Sequence, residues 1–588
     1  MNWRAAGAFV LLAMISLAVT LPWPEFSSGS ENLVMSAAIE TKREGNWLRP
    51  TLNGEPRTRK PPLVTWIAAS SVPSSTIARF DQSDRDLAFD QMRWQSRWPL
   101  VIVLGALIAS CWALARRLWP RDPSLALFTM IVVGTNYLVL RFERMVTTDI
   151  YLTLFIAFAH LAFVETILAK RKLAWLAGAF VGLAFMCKGP VALLFTIVPW
   201  ILWTFLARTA SSPSPGTPGE GRVRAHCGFD DAVEMQSSEG PHPGPLPLST
   251  TGEGVRNRAP ISMWLSILIA FAIVGLPWFA YILSTTDGVL DIWRREVTRA
   301  GATNNDPDHP LTYLGLPFHL APWTVLFIVG LIDAITRFKK RDDITASFSL
   351  ALLIIPIVIL SIPSDRKERY ALPLVIPCAL LVARGLNLLV QNFEKPRLSD
   401  RIIGTLHWIM LGGMTIALGA IGTFFPKVAR TIDDQPWFTK PLGISILALG
   451  ILATIIGVII SMRKKHGLAW SSGVIMLLVW IGLSYGYRNS REAKSEMRPL
   501  AQQIVTKLPH AQLYQLRGTH APSDLTLYAN RIVANVDSIE SIPDGPHDEI
   551  FIAKQRKREP IPTSPPGFEL FTTTLRDSTT WWAFVRSH

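Results

Sequence analysis

Thirteen apolar runs, each long enough or nearly long enough to cross a bilayer, are separated by polar, mostly charged breaks, and this pattern constrains the fold more than any single motif. A backbone in hydrocarbon has no water to satisfy its amides and carbonyls, so such runs fold as helices. They fall at 6–21, 99–115, 125–140, 150–168, 173–187, 191–206, 261–283, 320–335, 348–362, 371–383, 402–425, 442–461 and 468–485. With 49% hydrophobic residues in 588, most of the chain is solvated by lipid rather than folded around one water-excluding core. The expected fold class is mainly α: a polytopic membrane bundle of about thirteen transmembrane helices, with a large first outer loop at 23–98 and a small C-terminal α/β soluble domain. The membrane part is expected over 1–487 and the soluble domain over 488–588.

Charge sorts the loops. With the N-terminus inside, every even crossing returns the chain to the cytoplasm, and five of these six returns carry basic clusters: Arg116, Arg117 and Arg121; Lys170, Arg171 and Lys172; Arg337, Lys339, Lys340 and Arg341; Lys395, Arg397 and Arg401; Arg463, Lys464 and Lys465. That bias marks the cytoplasmic side and places 23–98 and the soluble domain outside. The first run is read as a retained helix, because Leu21-Pro22-Trp23-Pro24 resembles an interface anchor more than a leader cleavage site. The net charge of +14 sits in membrane-flanking clusters, which favours anionic lipid over nucleic acid as the counterpart. Four cysteines, Cys111, Cys187, Cys227 and Cys378, form neither a disulfide framework nor a metal motif.

Two segments break the pattern. Within 208–260 the composition turns to Pro, Gly and Ser, and two stretches, Pro213 to Gly221 and Pro241 to Gly254, are related to each other; the segment is expected to be a disordered cytoplasmic insertion. After Tyr485 the sequence predicts a helix over 492–507, a strand over 513–516, a short helix over 524–530 and strands over 532–536, 549–553 and 581–585. Such a unit could cap a site at the membrane surface or serve as a binding or stabilising appendage.

Polar residues converge on the outer side from segments far apart in sequence. The first outer segment carries Glu44-Gly45-Asn46-Trp47-Leu48-Arg49-Pro50 and then Arg59-Lys60-Pro61-Pro62-Leu63-Val64-Thr65-Trp66. Arg and Lys among Trp and Pro suit an anionic, partly apolar ligand such as a lipid phosphate, although interfacial loops carry the same residue types. The second outer loop leaves Asp149 at the mouth of a span, where a helix start alone would stabilise a carboxylate. The third is Lys188-Gly189-Pro190, a lysine that could simply snorkel. The fourth offers Trp293, Arg294, Arg295, Glu296, Arg299, Asp306, Asp308 and His309, and the fifth runs from Asp365 through Lys367, Glu368, Arg369 and Tyr370 to Pro373.

The landmarks Gly45-Asn46-Trp47, Pro50, Asn53-Gly54, Lys60-Pro61-Pro62 with Trp66, Asp149, Lys188-Gly189-Pro190 and Lys367 to Tyr370 with Pro373 resemble the polytopic lipid-sugar-dependent glycosyltransferases. That glycosyltransferase C group includes aminoarabinose transferases of lipid A and protein O-mannosyltransferases, and the resemblance covers roughly the first 400 residues. The sequence departs from the family at two places. The first acidic pair falls on Ser30 and Glu31, so its leading Asp is Ser, with Glu31 or Glu25 as the substitute carboxylate; Val297 stands where a His is usual.

The resemblance implies transfer of a hexosyl or pentosyl group from a polyprenyl-phosphate sugar to a lipid, glycan or protein acceptor at the outer face, as in lipid A modification or protein glycosylation. It implies Asp149 and Glu31 as catalytic carboxylates, and Arg59, Lys60, Lys188, Glu296, Arg299, Lys367, Arg369 and Tyr370 as substrate-binding residues. It requires no certain cofactor and leaves a divalent cation open. Its partners are the donor lipid, the acceptor and membrane lipids, and its setting is a bacterial inner membrane. Two other readings stand beside it: a membrane transporter, which predicts ionisable groups near the bilayer midplane, and a transferase-like protein that only binds lipid phosphate.

Overall fold

Every one of the thirteen apolar runs falls on a helix in the computed structural model, which describes residues 3–26, 29–209, 260–299, 312–340, 343–363, 366–424, 440–488, 495, 497–519, 522–556, 559–576 and 579–587. Among the described residues seven helices are long and apolar enough to cross a membrane, and two bent pairs bring the number to nine. Four shorter apolar helices, Arg4–Thr20, Ala174–Lys188, Val191–Phe205 and Ile344–Leu360, occupy the remaining expected positions. One bent pair, Ile261–Gly275 with Pro277–Thr285, turns by 46° at Pro277, which lacks the amide a continuous helix needs. Helix starts carry ordinary caps: Asp122 accepts from the Ser124 amide at 3.1 Å ahead of Pro123, and Asp343 accepts from Thr345 and Ala346 at 2.9 and 3.1 Å.

Close helix pairs use glycine where backbones meet. A Cβ at Gly330 would run into the Leu381 carbonyl, and one at Gly385 into the Leu326 carbonyl, so Thr324–Lys340 and Val375–Gln391 pack with no room for a side chain between them. Gly330→Leu is expected to force these helices apart and cost about 1–3 kcal/mol or more. Thermal unfolding in detergent checks this; an unchanged midpoint would mean that the pair can separate freely.

The segment expected as a large outer loop is instead a helical layer across one end of the bundle. It contains helices Gly29–Glu44, Leu63–Ser71 and Ser74–Ile77, a two-residue hairpin of β1 (Thr51–Leu52) and β2 (Glu55–Pro56), and the start of the long helix Arg85–Leu118. Charged residues obscured its amphipathic period, yet Val34, Met35, Ala38 and Ile39 are buried beside Val64 and Ala68. Asn53 and Gly54 turn the hairpin with φ of 55° and 72°, and Glu40 accepts from both amides, at 2.8 and 3.2 Å.

The C-terminal unit is a five-stranded sheet, in order β4-β3-β5-β7-β6, of β3 (Gln512–Leu516), β4 (Val533–Val536), β5 (Glu549–Arg556), β6 (Glu569–Arg576) and β7 (Thr579–Arg586). β3 runs parallel to β4 and β5, whereas β7 is antiparallel to β5 and β6. The expected strands are present; β6 is an addition, an edge strand whose register slips between Leu570 and Thr572 and so breaks clean alternation in the sequence. Helices Arg498–Lys507 and Ser523–Ala529 pack together, the first shorter than expected among the described residues. This unit grips the helical layer: Arg498 pairs with Glu25 and Asp86, Arg531 and Asn530 bond Asp81, Arg85 reaches the Tyr528 carbonyl, and Ser36 donates to the Ser523 carbonyl. Most of the expected insertion, 210–259 with Cys227, lies outside the described residues, as do Asp306, Asp308, His309 and Asp365. The other three cysteines are buried free thiols.

Candidate active site

The site grows from a tight turn. Helix Tyr137–Phe142 ends at Glu143, residues 143–147 reverse the chain, and helix Thr148–Ile167 begins with Asp149 in its first turn, where unpaired amides and the helix dipole favour a negative charge. Against it packs helix Ala174–Lys188, which presents a lysine at its last position, where the dipole favours a cation. Gly189, with φ of 67°, then turns the chain away. Lys188 Nζ and Asp149 Oδ1 form an ion pair whose side chains are 5% and 4% exposed.

A third segment closes over this pair. The 3₁₀ stretch Glu368–Leu374 places the Tyr370 ring 4.1 Å from Lys188 Nζ, and the Arg369 guanidinium lies 5.6 Å from the same ring. Arg369 Nη1 donates to Ser30 Oγ at the start of helix Gly29–Glu44. The charges of Lys60 and Arg369 both act on Lys188. Asp149, Lys60, Lys188, Arg369 and Tyr370, separated by up to 310 positions from Lys60 to Tyr370, therefore converge. Lys188 pairs with Asp149, and the positive charges of Lys60 and Arg369 act on the same lysine, a local surplus of positive charge that suits an anion.

Glu31 is placed differently from its neighbour Ser30. Arg97 Nε and Nη2 bond its two carboxylate oxygens at 2.8 Å each, and the Val146 amide donates to Oε1 at 2.9 Å; both side chains are 1% exposed. Arg97 also donates to the carbonyls of Leu21 and Pro24 at 3.0 and 2.6 Å, and its guanidinium lies 4.8 Å from the Phe26 ring centre. Glu31 thus ties the first helical layer to the turn that leads into Asp149, with both oxygens engaged. The alternative carboxylate, Glu25, is taken by Arg498 and the Ser495 amide.

Of the other expected residues, Arg59 and Lys367 are exposed, and the Lys367 carbonyl accepts from Tyr313 Oη at 3.4 Å. Glu296 and Arg299 fall on helix Val289–Arg299, but their side chains lie outside the described residues. Among the described residues no three His, Cys, Asp or Glu side chains gather to hold a metal, and Asp149 faces cations. These residues do not fit a divalent ion.

Arg97 was not legible as a functional residue, since its position beside Trp98 at the edge of an apolar run reads as an ordinary flanking charge. Nor was the burial of the turn itself. Glu143 and Arg144 are 1% and 6% exposed; burial pushes the Glu143 carboxyl up to about 8 and brings Arg144 down to about 10, each moderated by the other's charge.

Residues 87–217 match the family model described as dolichyl-phosphate-mannose-protein mannosyltransferase. An uncharacterised protein of Aquifex aeolicus (strain VF5) is 23% identical over 421 residues, 70% of this chain and 69% of that one. Two crystal structures of ArnT from Cupriavidus metallidurans share the fold. The apo form gives a TM-score of 0.67 at 15% identity over 99% of this chain, and the form bound to undecaprenyl phosphate gives 0.68 at 16% identity over all of it. Each comparison covers 98% of the ArnT chain.

Proposed function

We propose that this protein, a polytopic chain with the glycosyltransferase C fold, transfers a glycosyl group from a polyprenyl-phosphate-linked sugar to an acceptor at the outer face of the membrane. The observation that carries the reading is the buried Lys188–Asp149 pair under Tyr370, with the charges of Lys60 and Arg369 acting on the same lysine. The description of the matching family and the lipid bound to ArnT support a polyprenyl-phosphate donor.

The geometry gives each residue a task. A lipid phosphate entering between Lys60, Lys188 and Arg369 competes with Asp149 for the lysine, so donor binding loosens the resting ion pair and frees the carboxylate. Asp149 then takes the proton of the acceptor hydroxyl as that oxygen bonds to the sugar carbon. The bond from that carbon to the phosphate oxygen breaks, and the lipid phosphate leaves with the electron pair, its growing charge held by the three cations. Glu31, with Arg97, positions the turn before Asp149 rather than taking a proton itself.

The test is release of polyprenyl phosphate and formation of labelled product from purified protein, labelled polyprenyl-phosphate sugars and a membrane acceptor extract. No product with any donor, despite donor binding, would favour the binding-only reading. Lys60→Ala is expected to weaken donor binding about tenfold to a hundredfold, the loss of one charge-assisted hydrogen bond; unchanged donor affinity would remove Lys60 from the phosphate site. A carrier fits the described interior less well: His160 accepts from the Trp200 indole at 3.0 Å, and His407 is 2.8 Å from Ser472 Oγ, so neither buried imidazole faces a carboxylate.

A further inference from the structure

We infer that Trp293 positions Lys60 for the donor phosphate: its indole N–H holds the Thr58 carbonyl, and its ring joins the loop that carries Lys60 to the helix that ends in Lys188. The inference rests on the phosphate reading of Lys60 given above.

Lys60 has to be held in place. The positive charges of Lys60 and Lys188 act on each other, and like charges move apart unless the backbones that carry them are fixed. A lysine head sits on a flexible four-carbon stem, so it is placed no better than its backbone.

The chain on either side of Lys60 is anchored. Downstream, Pro61 and Pro62 have restricted φ, and the Pro62 carbonyl accepts from the Trp66 amide at 2.8 Å as helix Leu63–Ser71 begins. Upstream, Trp293 Nε1 on helix Val289–Arg299 donates to the Thr58 carbonyl at 2.9 Å. Arg59 and Lys60 lie between these anchors. Thr58 is 2% exposed, so water does not readily replace the indole there, and an unpaired carbonyl would be costly.

Trp293 is itself fixed from the side of Lys188. Its ring centre lies 5.4 Å from that of Phe279, which lies 4.8 Å from that of Phe185, one turn before Lys188 on helix Ala174–Lys188. Aromatic contacts thus lead from the Lys188 helix to the carbonyl just ahead of Lys60. Two further bonds dock the same segments at the upstream end of the loop: Trp278 Nε1 donates to the Leu48 carbonyl at 2.8 Å, and Arg49 Nη1 to the Thr285 carbonyl at 3.4 Å. Those bonds seat the loop as a whole, whereas Trp293 meets it beside the lysine.

The experiment is a double-mutant cycle on the full chain in phosphatidylcholine nanodiscs, reading equilibrium binding of undecaprenyl phosphate to wild type, Trp293→Phe, Lys60→Ala and the double variant. Phenylalanine keeps a ring against Phe279 and removes the N–H. Trp293→Phe is expected to weaken binding about threefold to tenfold, the worth of one neutral hydrogen bond. In the Lys60→Ala background the same change should alter binding less than about twofold, because its effect passes through the lysine. A Trp293 that only stabilised the fold would weaken binding equally in both backgrounds. Unchanged binding in Trp293→Phe, or equal losses in both backgrounds, would overturn the inference while leaving Lys60 at the phosphate. Unchanged binding in Lys60→Ala would overturn the phosphate reading and the inference with it. If Trp293→Phe does not fold, Trp293→Tyr, which also keeps a ring and lacks the indole N–H, takes its place in the cycle with the same expected outcome.

Discussion

Asp149→Asn is expected to lower the rate of glycosyl transfer by about a hundredfold to ten-thousandfold while leaving a folded protein that still binds donor. Asparagine keeps the shape of the side chain and can still accept a hydrogen bond from Lys188, so the helix start and its packing survive. What disappears is the negative charge proposed to take the acceptor proton. A second consequence separates catalysis from simple support of the fold. In the resting protein Lys188 is held by Asp149, and on the proposed mechanism donor phosphate competes for it. Without the carboxylate that competition ends, so the variant should bind donor at least as tightly as wild type. Single-turnover product formation together with equilibrium donor binding measures both. Full transfer activity in a folded Asp149→Asn protein would remove the residue from catalysis, and joint loss of donor binding and folded yield would make it structural.

The parts of this picture that were legible in sequence are those that depend on one-dimensional signals. Lipid imposes a direct length and hydropathy rule, so each apolar run lies on a helix, even where Pro277 bends one. Asp149, Lys188, Arg369 and Tyr370 could be singled out because they stand in short loops whose motifs resemble family landmarks. The helical layer over 29–77 was hidden because it alternates its apolar face with Glu31, Glu40, Lys42 and Arg43, which read as loop until a partner surface buries the other side. β6 was hidden by its bulge. Side-chain direction was the largest gap. Ser30 and Glu31 are adjacent, yet one meets Arg369 at the site and the other turns toward Arg97, 66 residues along the chain. No local spacing specifies that choice, since it arises only when the helical layer, the start of Arg85–Leu118 and the turn before Asp149 meet.

That meeting point carries the second large effect. Arg97→Ala is expected to destabilise the protein by about 3–5 kcal/mol, because it leaves the Glu31 carboxylate charged, buried and without its partner. The same change frees the carbonyls of Leu21 and Pro24, which close the junction between the first helix and the helical layer, so the loss should exceed that in Glu31→Gln. Glutamine at 31 retains an oxygen for the Val146 amide and a shape that fits, although it forfeits the charge opposite Arg97. Comparing the two variants also decides what Glu31 does. A residue that positions the Asp149 turn should lower the unfolding midpoint and the transfer rate together, with Arg97→Ala more severe on both. A residue that takes the acceptor proton should lose transfer in Glu31→Gln at an almost unchanged midpoint. Thermal unfolding in detergent and the transfer rate of the folded fraction, measured well below the midpoint, distinguish these patterns. The complete engagement of both Glu31 oxygens favours the first, because a carboxylate held by Arg97 on one side and a backbone amide on the other has no open approach for a substrate hydroxyl.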